Sequence, residues 1–336
     1  MTSREIITRV LACDQPARIG LAYSGYQGQA RLDDVAWCGP AGDPQRPETP
    51  WRDNGDGFEV RDDEWGCRWR RVKGRTDKGE VVAAPLAEWR DLDSYRLPTF
   101  DDPRRYERCV EVRARCADRY LLGGLHGCAF NYARYLRRFD QYLYDCAAEP
   151  DQVRRLNGLL CDLALAQIDQ YARIGADGVM FAEDWGTEDR LLVSPRMWHE
   201  LFESDFRRLI TRAHERGLTV WMHSCGYIKD IIPTLVEMGL DVFQLDQPDL
   251  SGLDFLARFP ATYWCPVDIQ RVLPTGDESR IKAYAREMLA KLGGRGGGLI
   301  AKDYPDNPSI GVDPLWQHWG YEVFVAEGVY PPAAGA

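Results

Sequence analysis

None of the ten cysteines pairs with another in a C-x-x-C motif. That removes the signature of zinc ribbons and thioredoxin-like redox centres. No G-x-G-x-x-G or P-loop follows an apolar run, so nucleotide binding has no support. No apolar run approaches the length of a transmembrane helix, and Met1–Arg9 lacks the apolar core of a signal peptide. The expected compartment is therefore the cytoplasm, where thiols stay reduced instead of forming a disulfide framework. Excess positive charge is also missing. Lys and Arg total 42 against 52 Asp and Glu, a formal charge of −10. That balance argues against a nucleic-acid or anionic-membrane surface. A small-molecule substrate and a homodimer remain the expected partners.

What is present fits an ordinary globular chain: 336 residues, 45% hydrophobic and 28% charged. One domain over residues 1–336 is expected. Residues 38–60 are rich in Gly, Pro and Asp and read as loop. Glu64–Val72 and Glu80–Ala83, separated by a Gly/Asp turn, read as a β-hairpin within residues 58–84. Trp65, Trp69 and Trp89 in this region suit a core-and-lid role. From residue 150 a rhythm sets in. Helical stretches at Pro150–Gly175, Pro195–Arg216, Ile228–Met238 and Ser279–Leu292 alternate with short apolar runs. Those runs are Gly178–Phe181, Leu218–Met222, Asp241–Leu245, Ala261–Cys265 and Leu299–Ala301. Helices alternating with strands imply parallel pairing. The whole accommodates about eight strand–helix units, so a (β/α)8 TIM barrel with an N-terminal β-hairpin elaboration is expected.

Polar or soft side chains follow these runs, where barrels place their chemistry. Thr219–Cys225 ends in His223-Ser-Cys225-Gly226. Residues two apart on a strand share a face, so His223 and Cys225 project together. Imidazole plus thiolate suits zinc, but two ligands do not make a site. Of the other cysteines only Cys265 ends a strand-like run beside polar residues. The competing reading is a packed strand end with a hydrogen-bonded histidine and two inert thiols. Glu183 and Asp184 are adjacent, so one faces the barrel axis as metal ligand or general acid while the other caps the next turn. Asp246, Gln247, Asp268 and Gln270 suit hydrogen bonding to a polar substrate or loop capping; Asp268 is also a candidate for moving a proton. His126, Lys302, Tyr304 and Tyr26, the last in the loop Tyr23–Gly28, complete the substrate-binding candidates.

Several segments together resemble the uroporphyrinogen decarboxylase superfamily. Thr2–Ile6 and Gln15–Ile19 are similar to its opening T-x-R-E-R and E-P-D-R-V-P. Gly175–Gly186 followed by Leu191–Pro195 is similar to its G-A-D, D-D-W-G and I-S-P segment. His223–Gly226, Ile231–Pro233, Gly239–Asp241 and Val267–Pro274 match its later strand ends. The resemblance implies a (β/α)8 barrel with its site at the C-terminal mouth. It also implies one of two activities. One is cofactor-free decarboxylation of porphyrinogens. The other is methyl transfer between a corrinoid (cobalamin) cofactor, usually on a partner protein, and a thiol or methylated substrate. The methyltransferases bind zinc through a His-x-Cys pair, matched by His223 and Cys225, and a distant Cys near the last strand. Here Lys302-Asp-Tyr304 stands at that place, and Cys265 is the candidate third ligand. The decarboxylases carry an Arg-rich loop after the first strand, which Tyr23–Gly28 lacks. The expectation is therefore a corrinoid-linked, zinc-dependent methyltransferase. The alternative is a lyase of a small carboxylate, with Asp184 or Asp268 managing the proton and Lys302 the carboxylate.

Overall fold

Apolar runs of three to five residues become parallel strands here, because the helices between them return the chain to the same edge of the sheet. The computed structural model describes residues 1–74 and 79–331. Its strands are β1 (Gly20–Ala22), β2 (Val35–Cys38), β3 (Arg52–Asp53), β4 (Phe58–Asp62), β5 (Arg68–Val72), β6 (Glu80–Ala83), β7 (Tyr120–Gly124), β8 (Gly178–Ala182), β9 (Thr219–His223), β10 (Val242–Gln244), β11 (Thr262–Cys265) and β12 (Leu299–Lys302). Eight of them form one parallel sheet in the order β1-β12-β11-β10-β9-β8-β7-β2. Its two ends are drawn together where the Asp34 N–H donates to the Leu21 carbonyl at 2.7 Å and the Tyr23 N–H to the Leu32 carbonyl at 3.1 Å. The result is a nearly closed (β/α)8 barrel.

Alternation sorts the side chains of every barrel strand into two sets. Val35, Tyr120, Leu122, Trp221, Val242, Trp264 and Ile300 face inward. They pack on Ile6, Ile7 and Val10 of α1 (Ser3–Ala12), which closes one end of the barrel. A Cβ on Gly20 would lie 2.7 Å from Ile7 and 2.8 Å from Ile300, so only glycine lets that helix seat. The other set faces the helices: Leu21, Val179, Phe181, Val220, Met222, Phe243, Tyr263, Cys265 and Ala301. Fully burying a Val, Leu or Phe contributes about 1.5–3 kcal/mol, so both faces hold the barrel together.

The elaboration differs from the expected hairpin. β5 and β6 do pair, but they belong to a four-stranded antiparallel sheet, β3-β4-β5-β6. β3 and the start of β4 lie inside the stretch read as loop. Their Asn, Gly and Asp neighbours mask strands too short to show an alternation. The turn residues 75–78 lie outside the described residues. Trp65 and Trp69 are buried, and Trp65 packs on Phe100, His126 and Tyr132. The Arg137 guanidinium lies over Trp89. The sheet therefore fastens to the helical layer formed by α2 (Glu107–Arg115), α3 (Phe130–Arg137), α4 (Phe139–Ala148) and α5 (Pro150–Ile174). The last ends, as its sequence predicts, on Gly175 with φ 75°. The helix expected over Pro195–Arg216 is instead two, Pro195–Leu201 and Glu203–Glu215, broken at Phe202. No helix among the described residues is long and apolar enough to cross a membrane.

Candidate metal centre

His223 is the last residue of β9, two after the inward-facing Trp221, so its imidazole enters the barrel mouth. Asp184 stands two residues past Ala182 of β8, whose register partner is His223. Cys225 follows in the loop after β9. Two glycines let that loop close on the loop after β8. A Cβ on Gly186 would sit 2.3 Å from the Tyr227 nitrogen, and one on Gly226 2.4 Å from the Gly186 oxygen. The Gly186 N–H donates to the Cys225 carbonyl at 3.2 Å, and the Tyr227 N–H to the Thr187 carbonyl at 2.7 Å.

Three different donors meet as a result. His223 Nε2 is 3.2 Å from Cys225 Sγ and 3.4 Å from Asp184 Oδ1. One ligand atom from each residue lies within 4.8 Å of the other two. The far ring nitrogen, Nδ1, is hydrogen-bonded to Gln244 Oε1. Because an amide oxygen only accepts, it fixes the proton on Nδ1 and turns Nε2 toward the other two donors. Gln244 Nε2 in turn donates to Asp246 Oδ1 at 2.7 Å, and Lys302 Nζ pairs with the same oxygen at 2.9 Å. Behind the histidine there is thus a continuous chain of amide, carboxylate and ammonium.

The electrostatics favour a cation. Burial opposes an imidazolium, yet hydrogen bonds to Asp184 and Cys225 outweigh it and hold His223 well above the usual imidazole range. Burial also opposes charge on Asp184, but the hydrogen bond and charge of His223, with the charge of Arg134, outweigh it and hold the carboxyl below its ordinary range. Asp246 is lowered in the same way: burial opposes its charge, and the charges of Lys302 and His223 with the hydrogen bonds from Lys302 and Gln244 together outweigh it. A field that favours a proton at Nε2 favours a metal cation beside it. Nitrogen, sulfur and oxygen donors converging on one point fit zinc. Asp184 also keeps its other oxygen on Arg134 Nη2 at 3.2 Å.

The expected site residues separate into those that join this centre and those that do not. Asp184, His223 and Cys225 form it, and Asp246 and Lys302 back it. Tyr304 stands close by, its ring 5.9 Å from Lys302 Nζ, and burial raises its hydroxyl pKa. Gln247 accepts the Gly226 N–H at 2.9 Å and donates to Gln270 at 3.2 Å. With Cys225, Gly186 and Leu250 these two amides line a cleft of about 350 Å³.

Cys265 is not the third donor. It shares its face of β11 with Tyr263, away from the inward Trp264, and packs under the helices. Burial pushes its thiol up to about 12. The third ligand-type atom of the cluster comes from Asp184 instead. Glu183 faces the helices too, two residues past Phe181. Its Oε1 accepts the N–H groups of Cys128 and Ala129 at 2.7 and 3.0 Å, and its Oε2 that of Asn131 at 2.8 Å. It caps α3, and burial pushes its carboxyl up to about 7 against those three bonds. Asp268 likewise spends its carboxylate on three backbone N–H groups, those of Gln270, Arg271 and Asp249 at 2.9, 2.7 and 3.0 Å. Neither acid is placed to move a proton in the mouth. His126 is a packing residue, stacked on Phe100 with its ring nitrogens on Gln167 and Leu160. Burial lowers its pKa to about 4. Tyr26 stacks on His318 in a cleft of about 430 Å³ that shares no lining residue with the one beside Cys225. Gln244 and Arg134 were not singled out from sequence. Gln244 carried one usable signal: a lone amide in an apolar strand, two residues before Asp246.

Comparison with known proteins agrees with this architecture. The family model for uroporphyrinogen decarboxylase matches residues 66–301. A uroporphyrinogen decarboxylase from Anaeromyxobacter sp. (strain Fw109-5) is 28% identical over 186 residues, 52% of this chain and 51% of its own. The chain therefore spans about half the length of the curated relative it matches. Among solved structures, a methyltransferase from Methanosarcina mazei superposes with a TM-score of 0.59 at 17% identity, over 77% of this chain and 75% of its own. That likeness is one of fold.

Proposed function

We propose zinc-assisted methyl transfer to or from a corrinoid for this chain, which belongs to the uroporphyrinogen decarboxylase family. The observation that carries the reading is the cluster of Asp184, His223 and Cys225, with sulfur, nitrogen and oxygen within 4.8 Å of one another. In this reading those three residues hold the zinc. Bound zinc supplies acidity that keeps a thiol as its nucleophilic thiolate near neutral pH. Gln244 holds the proton of the neutral imidazole on Nδ1, so Nε2 of His223 is the nitrogen that would give up its proton and bind. Asp246, neutralised by Lys302, holds that amide in orientation. Arg134 keeps one Asp184 oxygen occupied so that the other faces the cluster. Gln247 and Gln270 offer hydrogen bonds to a polar part of a small methylated substrate. The corrinoid, free or carried on a partner protein, is written here as the second substrate.

The half-length likeness to a decarboxylase favours a second reading, a carboxy-lyase. The cations near the mouth weigh against a polyanionic substrate. Arg31 is tied to Asp303 at 2.6 Å and to the Ser24 carbonyl at 2.6 Å. Lys302 is tied to Asp246, and Arg134 to Asp184. Two measurements test the proposal. Metal analysis of wild type should find one zinc per chain. Cys225→Ser should lower zinc affinity at least tenfold while Cys265→Ser leaves it unchanged, since thiolate is zinc's preferred donor and only Cys225 reaches the cluster. Absorbance should then report methylcobalamin gained from a methyl donor or lost to a thiol. Zinc-free protein that releases carbon dioxide from a small carboxylate would hand the case to the second reading.

A further inference from the structure

One inward-facing residue of the barrel is not enclosed. Trp37 lies two residues past Val35 on β2, and Val35 belongs to the inner cluster. By alternation Trp37 faces the barrel axis as well. Its ring stacks on the inward Trp264 with centroids 5.7 Å apart and planes 27° from parallel. Yet Trp37 is 46% exposed, whereas Trp221 and Trp264 of the same barrel are 0% and 5% exposed. Its indole therefore has one side on Trp264 and much of the rest open at the mouth.

Trp264, on which Trp37 stacks, connects it to the candidate metal centre. Trp264 pairs in register with Gln244, and Gln244 with His223, so the three stand at one level of neighbouring strands. Lys302 Nζ lies 5.7 Å from the Trp264 ring and bonds Asp246, which bonds Gln244. A group lying on Trp37 is thus at the mouth that holds His223 and Cys225. A tryptophan with one side supported by a second tryptophan presents a flat, rigid, apolar surface of fixed orientation. Such a surface selects a ligand by shape and π character, since aromatic pairs gain from stacking beyond the area they cover. It offers little to a small aliphatic molecule such as methanol or methylamine.

We infer that Trp37 is the stacking platform for a flat conjugated ring on the substrate, held in the mouth beside Asp184, His223 and Cys225. The substrate class is then a methylated aromatic molecule, its methyl carried on a heteroatom of the ring's edge. The inference rests on the proposed methyl transfer for the role of that methyl group, but the stacking stands without it.

The test therefore measures binding in zinc-free protein carrying Cys225→Ser, where no methyl transfer is possible. The probes are anisole and its saturated counterpart, cyclohexyl methyl ether, titrated by tryptophan fluorescence and ligand-observed NMR. Anisole should bind about tenfold more tightly than the saturated ether, the order expected of one aromatic pair. Trp37→Ala should remove that preference, and Trp37→Phe should restore most of it. With its ring half exposed, Trp37 is replaceable without loss of the fold, and the comparison of the two probes on unaltered Trp37 stands even if a variant does not fold. Equal affinity for the two ethers, no binding of anisole, or an anisole preference that survives Trp37→Ala would each overturn the assignment. A failed cobalamin assay beside a preserved anisole preference would overturn the methyl-transfer reading alone.

Discussion

Glu183→Ala separates a capping carboxylate from a catalytic one. Glu183 is fully buried, and its two oxygens accept the N–H groups of Cys128, Ala129 and Asn131. Alanine leaves three donors at the start of α3 without their acceptor. A buried unsatisfied group costs about 1–3 kcal/mol, and water entering the vacated space recovers part of it. The net loss should be about 3–5 kcal/mol of folding stability. Glu183→Gln grades the effect. Its carbonyl oxygen can still accept from Cys128 and Ala129, but its NH2 then faces the Asn131 N–H, donor against donor. That variant should lose about 1–3 kcal/mol, between wild type and alanine. Urea unfolding measures both. Because α3 also carries Arg134, which holds Asp184, zinc affinity should fall in the same order. If both variants unfold within about 0.5 kcal/mol of wild type while activity disappears, Glu183 acts in the chemistry and the capping argument is wrong.

His126 gives a pH signature. Burial lowers its pKa from 6.5 to about 4, so the unfolded chain binds the proton more tightly than the folded one. Stability should therefore rise with pH between those values, and about 3 kcal/mol should be lost as pH falls through them. Glu183, raised to about 7, contributes with the opposite sign over the same window. The slope should therefore be read in the difference between wild type and His126→Gln, whose unfolding free energies between pH 4 and 7 should diverge as pH rises. Gly123→Ala should cost about 2–3 kcal/mol or more in a urea melt, because the new Cβ would lie 2.4 Å from the buried Tyr171 ring. Gly186→Ala pushes on Gly226 and Tyr227 and should part the loops that bring Asp184 to Cys225. Zinc affinity should then drop about tenfold or more, consistent with the loss of one ligand contact; an unchanged affinity would show that the loops are not what positions the donors.

Much of the barrel was legible because several of its strands, β8, β9 and β12 among them, follow helices of more than ten residues. Gly175 closing α5 and the apolar runs from Gly178 onward needed no tertiary information. β2 was harder. Val35–Cys38 lies between Asp33-Asp34 and Gly39-Pro40, and no helix stands between it and β1. A strand–helix rhythm cannot reveal a strand that lacks its helix. The break at Phe202 was hidden as well, since both flanking segments keep helical composition and the residue is simply buried between them.

The candidate site was legible in its residue types and not in their directions, and the reason is physical. A parallel barrel buries both faces of every strand, so hydrophobic alternation loses its contrast. In Gly178–Ala182 and Thr262–Cys265 nearly every position is apolar. Neither run says which of Glu183 and Asp184 turns inward, or that Cys265 turns outward. Once the inner cluster is known, one parity assigns all three. Asp184 goes with Ala182, Glu183 with Phe181, and Cys265 with Tyr263. The exchange of Cys265 for Asp184 also keeps the charge of the proposed centre. One thiolate and one carboxylate balance a divalent cation as two thiolates would. What changes is softness, and the carboxylate brings a partner that a thiolate would lack: Arg134 on its second oxygen. Substituting Asp184→Cys should therefore retain zinc and loosen α3, whereas Asp184→Asn should lose much of the zinc with the Arg134 contact still available. Zinc affinity and unfolding measured on the same two variants would distinguish ligand charge from helix docking.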